Sequence, residues 1–251
     1  MDTGPLFRID GKHAVVTGGG TGIGNAIAHA LHSAGARITL AGRRTGVLQQ
    51  AAEKLSNSEV FTWDLSAIDE IDATASQLAA TAGAPDIVVN AAFWRAREPA
   101  AKVTPAVWRA TLDTGLAAPF FVARAFAPAM CKRGWGRILN IASLQSRLAF
   151  TGGIVYGAAK GGIAQLTRAM AAEWSRHGVN ANALAPGFFP TAMTAPLFDD
   201  DATAAALGAR TAIGRNGELR DLHGAAVFLC APASDYITGQ MLFVDGGFTV
   251  T

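Results

Sequence analysis

Tyr156 and Lys160 are two side chains that could transfer a proton together. They are four residues apart in a segment with helical periodicity, so they share one helix face. A free tyrosine has a pKa of about 10, and a neighbouring ammonium favours the phenolate and lowers that pKa. The pair is therefore suited to acid–base chemistry near neutral pH. The alternative is a tyrosine and a lysine on an exposed helix face, which is a common arrangement.

A serine upstream of this pair favours the catalytic interpretation. Ser143 follows the predicted strand 136–141, and ligands of open α/β sheets bind at the ends of such strands. Its hydroxyl can hydrogen-bond a carbonyl oxygen while Tyr156 donates the proton. Both donors would stabilise the alkoxide that develops when a hydride arrives. Together with a bound hydride donor, the three side chains could interconvert a ketone and a secondary alcohol.

A glycine-rich turn near the start of the chain predicts a dinucleotide site. Residues 17–24 read Thr-Gly-Gly-Gly-Thr-Gly-Ile-Gly, between a predicted strand at 13–17 and a predicted helix at 22–33. A pyrophosphate needs a tight turn, a backbone without Cβ atoms and free N–H groups at a helix start. A glycine triplet alone also occurs in ordinary turns, but strand, turn and helix follow here in the required order.

Alternating strands and helices predict the scaffold. β-branched runs at 13–17, 37–41, 60–63, 86–90, 136–141, 179–184 and 240–244 indicate seven strands, and 22–33, 105–130, 155–176 and 218–229 have helical periodicity. This pattern predicts a single Rossmann-type three-layer α/β/α sandwich with a seven-stranded parallel sheet, one domain over residues 1–251. Residues 187–217 are expected to form a substrate loop or lid, in which 199–201 begin a helix.

Composition and charge exclude several classes of protein. Half of the 251 residues are hydrophobic, and the net charge of +2 argues against a disordered tail and against nucleic acid as the main partner. The apolar stretch 115–131 contains one arginine and two prolines and is shorter than a membrane span, and the first residues lack a signal-peptide pattern. We expect a soluble cytoplasmic protein with no membrane partner. The two cysteines are not spaced as metal ligands, and no metal site is expected.

Six segments together resemble the short-chain dehydrogenase/reductase family, closest to its gluconate 5-dehydrogenase-like and carbonyl reductase branch. In order they are the glycine turn, Asp-Ile-Val-Val-Asn-Ala at 86–91, Asn-Ile-Ala-Ser at 140–143, Tyr-Gly-Ala-Ala-Lys at 156–160, Asn-Ala-Leu-Ala-Pro-Gly at 182–187 and Val-Asp-Gly-Gly at 244–247. The resemblance extends over essentially the whole chain. It implies that Ser143, Tyr156 and Lys160 are catalytic in an enzyme that interconverts a ketone and a secondary alcohol. It also implies a homotetramer and a small carbonyl or alcohol substrate.

The resemblance also implies which residues bind the cofactor. Lys160 would hold the nicotinamide ribose hydroxyls, and Asp64 would receive the adenine amino group. The expected cofactor-binding residues are Gly18, Gly20, Thr21, Gly22, Ile23, Gly24, Arg43, Arg44, Asp64, Leu65, Asn90, Ala91, Tyr156, Lys160, Pro186, Gly187, Phe189 and Thr191.

The sequence departs from the family pattern at two places. Phe93 stands where the family has glycine, and either remodels the substrate pocket or belongs to the core. Gly115 stands where the family has a catalytic asparagine, which positions a proton-relaying water. The Gly115 carbonyl could still hold that water, the relay could be weaker, or Phe93 could fill the space beside Gly115.

The end of the second strand bears on cofactor choice. Arg43 and Arg44 stand where an NAD-selective site carries an acid, and a guanidinium suits a 2′-phosphate. Against this, Thr21 lies where many NADP-using relatives have a basic residue, and the arginines could be a solvated pair at a helix start. NADP(H) is favoured over NAD(H).

The substrate is less defined. Residues 144–147 and 186–189 resemble the gluconate 5-dehydrogenase-like branch, which implies a polyol or keto-sugar acid with Arg95, Arg97 or Arg147 as a carboxylate clamp. The expected substrate residues are Phe93, Trp94, Gln145 and Phe188. An aromatic pocket that suits bulkier ketones would be formed by Phe93, Trp94, Phe150, Phe188 and Phe189. Rival functions are an NAD-dependent polyol dehydrogenase, a non-catalytic dinucleotide sensor, and a lyase or epimerase.

Overall fold

A parallel sheet of seven strands forms the centre of the computed structural model, which describes residues 3–94 and 98–250. The strands are β1 (His13–Thr17), β2 (Arg37–Gly42), β3 (Ser58–Thr62), β4 (Ile87–Asn90), β5 (Gly136–Ile141), β6 (Val179–Pro186) and β7 (Met241–Val244). Their order across the sheet is β3-β2-β1-β4-β5-β6-β7, and every neighbouring pair is parallel. The predicted seven-stranded parallel sheet is confirmed.

Helices cover both faces of the sheet. Those in the described residues are α1 (Gly22–Ser33), α2 (Thr45–Ala52), α3 (Ile71–Ala82), α4 (Pro105–Leu112), α5 (Ala118–Arg133), α6 (Ile154–Trp174), α7 (Ala195–Phe198), α8 (Asp201–Ala209) and α9 (His223–Cys230). Strand residues alternate between two apolar clusters: Val89 packs with Leu31 of α1, and Val88 packs with Phe126 of α5. The predicted three-layer Rossmann-type architecture is therefore confirmed.

The order of the strands creates a crevice beside β1. The chain runs from β1 outward to β2 and β3, then returns to β4 on the other side of β1. Loops that leave the carboxyl ends of β1 and β4 therefore diverge, and ligands of such sheets bind there. Thr17 joins the two ends, because its Oγ1 accepts hydrogen bonds from the N–H groups of Ala91 (3.1 Å) and Ala92 (3.2 Å).

The long helix predicted at 105–130 is interrupted and extended in the structure. A π-helical turn, Asp113–Ala117, separates α4 from α5 and buries Gly115. The whole stretch Pro105–Arg133 has 29 residues and by length and composition alone could cross a membrane, so the shortness of 115–131 does not by itself exclude a span. Half of its most apolar window is buried, with Val122 and Phe126 packed against the sheet, as in the core helix of a globular protein.

Two helices, α2 and α3, were not predicted from the apolar pattern of the sequence. α2 buries only Leu48, and α3 is rich in alanine and threonine, so neither carries a strong apolar stripe. The predicted helix start at 199–201 is confirmed, because the Asp200 carboxylate accepts a hydrogen bond from the N–H of Thr203 and caps α8. Residues 187–217 thus contain α7 and α8.

Removing the Thr17 hydroxyl should loosen the crevice. Thr17→Val keeps the shape of this buried side chain but leaves the N–H groups of Ala91 and Ala92 without their acceptor. We expect the free energy of unfolding to fall by about 1–3 kcal/mol. Urea denaturation measures the change. Thr81→Val, at an exposed helix position, is the control and should stay within about 0.5 kcal/mol. Equal stability of the two variants would contradict this role.

Candidate active site

The glycine turn between β1 and α1 brings the backbone close to neighbouring chain segments. Gly18 and Gly22 have φ angles of +66° and +56°, which favour glycine. A Cβ at Gly18 would lie 2.8 Å from the Cα of Ala92, and one at Gly24 would lie 2.5 Å from the carbonyl oxygen of Gly18. Thr21 precedes α1 without a side-chain cap, so N–H groups at the start of α1 remain for an anion.

A cavity of about 300 Å³ extends from this turn across the carboxyl ends of the strands. Ser143, Tyr156 and Lys160 line it together with the glycine turn, and so do Phe93 and Trp94 of the expected substrate residues. The expected cofactor residues that line it are Gly18, Gly20, Thr21, Gly22, Ile23, Gly24, Arg43, Arg44, Asp64, Leu65, Ala91, Tyr156, Lys160, Pro186, Gly187, Phe189 and Thr191. Residues far apart in sequence thus share one site.

Charged groups stand at the β2–β3 end of the cavity. Arg43 and Arg44 are exposed there and form no ion pair with another described residue within 4 Å. The Asp64 carboxylate accepts hydrogen bonds from the N–H (2.9 Å) and Oγ (2.7 Å) of Ser66. Partial burial opposes ionisation of Asp64, but these hydrogen bonds and the nearby Arg43 outweigh it, and the pKa lies below its ordinary value. This end can offer guanidinium groups to a phosphate and a carboxylate to an amino group.

Ser143 is fixed at the other end of the cavity by its own turn. It is buried after β5, and its Oγ accepts a hydrogen bond from the N–H of Gln145 at 3.1 Å. The Ser146 hydroxyl accepts from the N–H of Ser143 (3.3 Å) and donates to the carbonyl of Lys160 (2.7 Å). Ser146 therefore connects the β5 turn to the α6 turn that carries Lys160.

Lys160 carries a buried ammonium. Its side chain donates a hydrogen bond from Nζ to the carbonyl of Ile141 at 2.6 Å, and Nζ lies 6.0 Å from the centre of the Tyr156 ring. Burial lowers the pKa of Lys160 from 10.5 to about 8. An ammonium has three donors, so it can still donate to a ligand in the cavity that it lines.

The two departures from the family pattern meet at this end. A Cβ at Gly115 would lie 2.4 Å from Cε2 of Phe93, so the ring occupies the space that an asparagine side chain would need. The Phe93 ring also packs edge-on with Tyr156, with ring centres 5.2 Å apart. The ring is therefore part of the site rather than of the sheet core.

Four of the expected residues lie elsewhere. The Asn90 amide is buried behind the cavity, where it donates hydrogen bonds to Oδ1 of Asn140 (2.9 Å) and to the carbonyl of Pro119 (3.2 Å). Phe188 packs with Phe150 and Phe248 and lines a neighbouring cavity of about 180 Å³. The remaining two are Gln145, which lies against Gly153, and Arg147, which is exposed outside both cavities. Arg95 and Arg97 are outside the described residues.

The structure adds residues that the sequence did not indicate. Met193 and Thr194, in the predicted loop or lid, line the cavity, and so does Thr114 of the π-helical turn. Ser146 was noted only as part of a family segment. Its spacing of three residues from Ser143, typical of a helix-capping pair, is the signal that could have found it.

Comparisons of the whole sequence give close relatives with named activities. Residues 18–249 match the model of a family described as enoyl-(acyl carrier protein) reductase. The chain is 40% identical over 251 residues to gluconate 5-dehydrogenase from Gluconobacter oxydans, with 98% of each chain covered. It is 39% identical over 255 residues to galactitol 2-dehydrogenase (L-tagatose-forming) from Cereibacter sphaeroides, with 100% of each covered.

The fold is similar to that of a solved structure over the whole chain. A gluconate 5-dehydrogenase from Burkholderia cenocepacia, in complex with NADP and tartrate, superposes with a TM-score of 0.95 at 39% identity and covers 100% of both chains. The similarity therefore includes every element that lines the cavity.

The buried ammonium predicts an unusual pH dependence of stability. Between about pH 8 and 10.5 the unfolded chain keeps a proton on Lys160 that the folded protein has lost, so the stability contributed by this group rises with pH. Lys160→Met removes the charge, and we expect its free energy of unfolding to exceed the wild-type value at pH 7 by about 1–3 kcal/mol. This excess should shrink from pH 8 to 10.5.

Urea denaturation of the ligand-free protein at several pH values measures the difference. Lys132→Met, which removes an exposed lysine of α5, is the control and should show no such trend. A difference for Lys160→Met that stays constant from pH 7 to 10 would contradict a charged, buried Lys160.

Proposed function

Because the chain belongs to the short-chain dehydrogenase/reductase family and is an oxidoreductase, we propose that it interconverts a keto-sugar acid and the corresponding secondary alcohol with NADP(H). The observation that supports this most is the shared cavity, with the glycine turn at one end and Ser143, Tyr156 and Lys160 at the other. In this proposal a dinucleotide extends along the cavity from the glycine turn, and a carbonyl at its nicotinamide end meets the three side chains.

The glycine turn fits a dinucleotide. No side chain fits at Gly18 or Gly24, so a pyrophosphate can approach the backbone and the open N-terminus of α1. When bound, the nicotinamide supplies the hydride for reduction and accepts it in oxidation. Lys160 would hold the ribose hydroxyls by the donors that the Ile141 carbonyl does not use.

Proton transfer falls to Tyr156 in this proposal. In reduction the Tyr156 hydroxyl donates its proton to the carbonyl oxygen while the Ser143 hydroxyl donates a hydrogen bond to the same oxygen. In oxidation Tyr156 takes the proton from the alcohol. The Lys160 ammonium favours the phenolate form of Tyr156 and so assists both directions.

Arg43 and Arg44 support NADP(H) over NAD(H). Both guanidinium groups are exposed at the cavity edge, where the adenosine ribose would lie, and no acid at the end of β2 competes for a ribose hydroxyl. The structure of the similar Burkholderia cenocepacia enzyme was solved in complex with NADP. Thr21 contributes no charge, so the arginines would carry the preference.

Similar proteins are named gluconate 5-dehydrogenase and 5-keto-D-gluconate 5-reductase, and this favours a keto-sugar acid such as 5-ketogluconate. A second candidate is a bulkier, less polar ketone. It is favoured by the apolar side chains of Phe93, Trp94 and Met193, which line the cavity. An NAD-dependent polyol dehydrogenase is the remaining oxidoreductase alternative.

We further propose a soluble cytoplasmic homotetramer of single-domain subunits. Large apolar side chains that are 38–42% exposed, Trp108 on α4 and Leu242 on the edge strand β7, suit burial between copies of the chain. Subunit contacts at these two places would join different faces of the molecule.

A substrate panel tests the proposal. Purified protein is given NADPH or NADH with 5-ketogluconate, L-tagatose and an aryl ketone, and cofactor oxidation is followed over many turnovers. We expect the highest kcat/KM with NADPH and 5-ketogluconate. A sensor would bind cofactor without turnover, an epimerase or lyase would convert substrate without net cofactor oxidation, and preference for the aryl ketone would support the second candidate.

Tyr156→Phe should abolish most turnover and leave cofactor binding intact. The phenol oxygen is the proton donor, whereas the ring contributes packing, so we expect kcat to fall roughly 10²- to 10⁴-fold. NADPH affinity, measured by fluorescence titration, should change by less than about twofold. Tyr236→Phe is the matched control, because Tyr236 is fully exposed. A Tyr156→Phe enzyme with near wild-type kcat would refute the proposed proton donor.

Arg43→Asp should move cofactor preference toward NADH. The new carboxylate repels a 2′-phosphate and can accept the NAD ribose hydroxyl, so the NADPH-to-NADH ratio of kcat/KM should fall roughly ten- to hundredfold. Arg176→Asp makes the same charge change at an exposed position after α6 and is the control. If the NADPH-to-NADH ratio of kcat/KM is unchanged in Arg43→Asp, Arg43 does not bind the 2′-phosphate.

A further inference from the structure

Phe93 fills a space that only a glycine at position 115 leaves open. Gly115 is buried in the π-helical turn, and a Cβ there would lie 2.4 Å from Cε2 and 3.0 Å from Cδ2 of the Phe93 ring. Contacts shorter than 3.0 Å are not tolerated by real Cβ atoms, so any side chain at this position must displace the ring. The position of the Phe93 ring therefore depends on the absence of a side chain at residue 115.

The Phe93 ring contacts two titratable side chains that line the cavity, those of Lys160 and Tyr156. The Nζ of Lys160 lies over the Phe93 ring, 4.8 Å from its centre. This is within the range of a cation–π interaction, which is strongest where water is excluded. The Tyr156 ring meets the Phe93 ring at 85° with centres 5.2 Å apart, an edge-to-face pair.

The π-helical turn also holds the chain next to Phe93. The N–H of Trp94 donates a hydrogen bond to Oγ1 of Thr114 at 3.3 Å, and that hydroxyl donates to the carbonyl of Ala110 at 2.9 Å. One turn of helix thus provides the gap at Gly115 and anchors the backbone that carries the ring. The placement of Phe93 is fixed from two sides.

We propose that Phe93 is a positioning residue, whose ring face holds the Lys160 ammonium and whose edge-to-face contact orients Tyr156. The inference rests on the proposed function for its catalytic consequence. Burial gives the ammonium few polar partners, with the Ile141 carbonyl as its hydrogen-bond acceptor in the described residues. An aromatic face supplies negative potential at this point, where aliphatic side chains would supply none.

Among the described residues, no charged side chain contributes to the shift in the pKa of Lys160, which burial lowers. Tyr156 is the titratable side chain that lies beside it. Arg43, Arg44 and Asp64 follow β2 and β3, which are separated from β5 by β1 and β4. Because Phe93→Leu keeps an apolar side chain at this position, a change in the pKa of Lys160 in that variant would report the aromatic face of the ring.

Three variants and a control test the proposal. Phe93→Leu keeps an apolar side chain but removes the aromatic face, and Gly115→Ala displaces the ring without altering a polar group. The double variant combines them, since leucine lacks the Cε2 atom that the new methyl would meet. Gly224→Ala is the matched control, because nothing lies within 4 Å of a Cβ there. Thermal unfolding identifies any variant that does not fold.

The direct measurement is the titration of Lys160 by carbon-13 NMR of the lysine Cε groups, assigned with Lys160→Met. We expect both single variants to lower the pKa of Lys160 by roughly 0.5 to 1.5. In enzyme assays kcat should fall about three- to thirtyfold in both. The double variant should be no worse than Phe93→Leu alone, because the two changes remove the same contact.

The outcomes separate the inference from the proposed function. An unchanged Lys160 titration in folded Phe93→Leu or Gly115→Ala would overturn the positioning role, even if activity fell. Strict additivity in the double variant would also contradict it. If the titration moves as expected while the wild-type protein reduces no carbonyl, the positioning role stands and the proposed function fails.

Discussion

A buried ammonium, that of Lys160, is the group around which the end of the cavity lined by Ser143 and Tyr156 is arranged. Lys160 is 6% exposed, and desolvation lowers its pKa to about 8. A charge removed from water is costly unless polar groups compensate for it, and here β5 ends with the accepting carbonyl of Ile141. The Ser146 hydroxyl connects the same helical turn to Ser143, and the Phe93 ring covers the ammonium. The same poorly solvated charge suits the proposed reaction, in which it holds ribose hydroxyls and stabilises a phenolate.

The sheet holds the two ends of the cavity at a fixed distance. The glycine turn follows β1 and the serine turn follows β5, and both strands belong to one hydrogen-bonded sheet with β4 between them. Behind the cavity, Asn90 bonds to Asn140, which donates to Oγ1 of Thr167 in α6. This buried chain of polar groups ties the strand ends to the helix that carries Tyr156 and Lys160. Rigid elements of this kind keep reacting groups aligned.

Local patterns in the sequence were enough to predict the strands, the glycine turn and the placement of Tyr156 and Lys160 on one helix. Each of these features depends mainly on residues that are neighbours in the chain. Asn90 was expected at the cofactor, but its amide lies behind the cavity, since side-chain direction at a strand end depends on tertiary partners. The π-helical turn was missed because apolar residues follow it without a clear stripe, so the shift of register that its extra residue causes is not visible in the sequence. The contact between Phe93 and Gly115 joins two separate elements, so the sequence offered it only as one of several alternatives.

The central claim is that one cavity aligns a nicotinamide with a substrate carbonyl beside Tyr156. Deuterium transfer tests it most directly: the protein is incubated with 5-ketogluconate and, in separate reactions, NADPH deuterated at C4 on one face or on the other. The product is examined by NMR. The account predicts that deuterium from one face of the nicotinamide appears at the new carbinol carbon, with no loss to water. Retention of the label in the cofactor with both labelled forms, or its release to solvent, would contradict direct hydride transfer in this cavity.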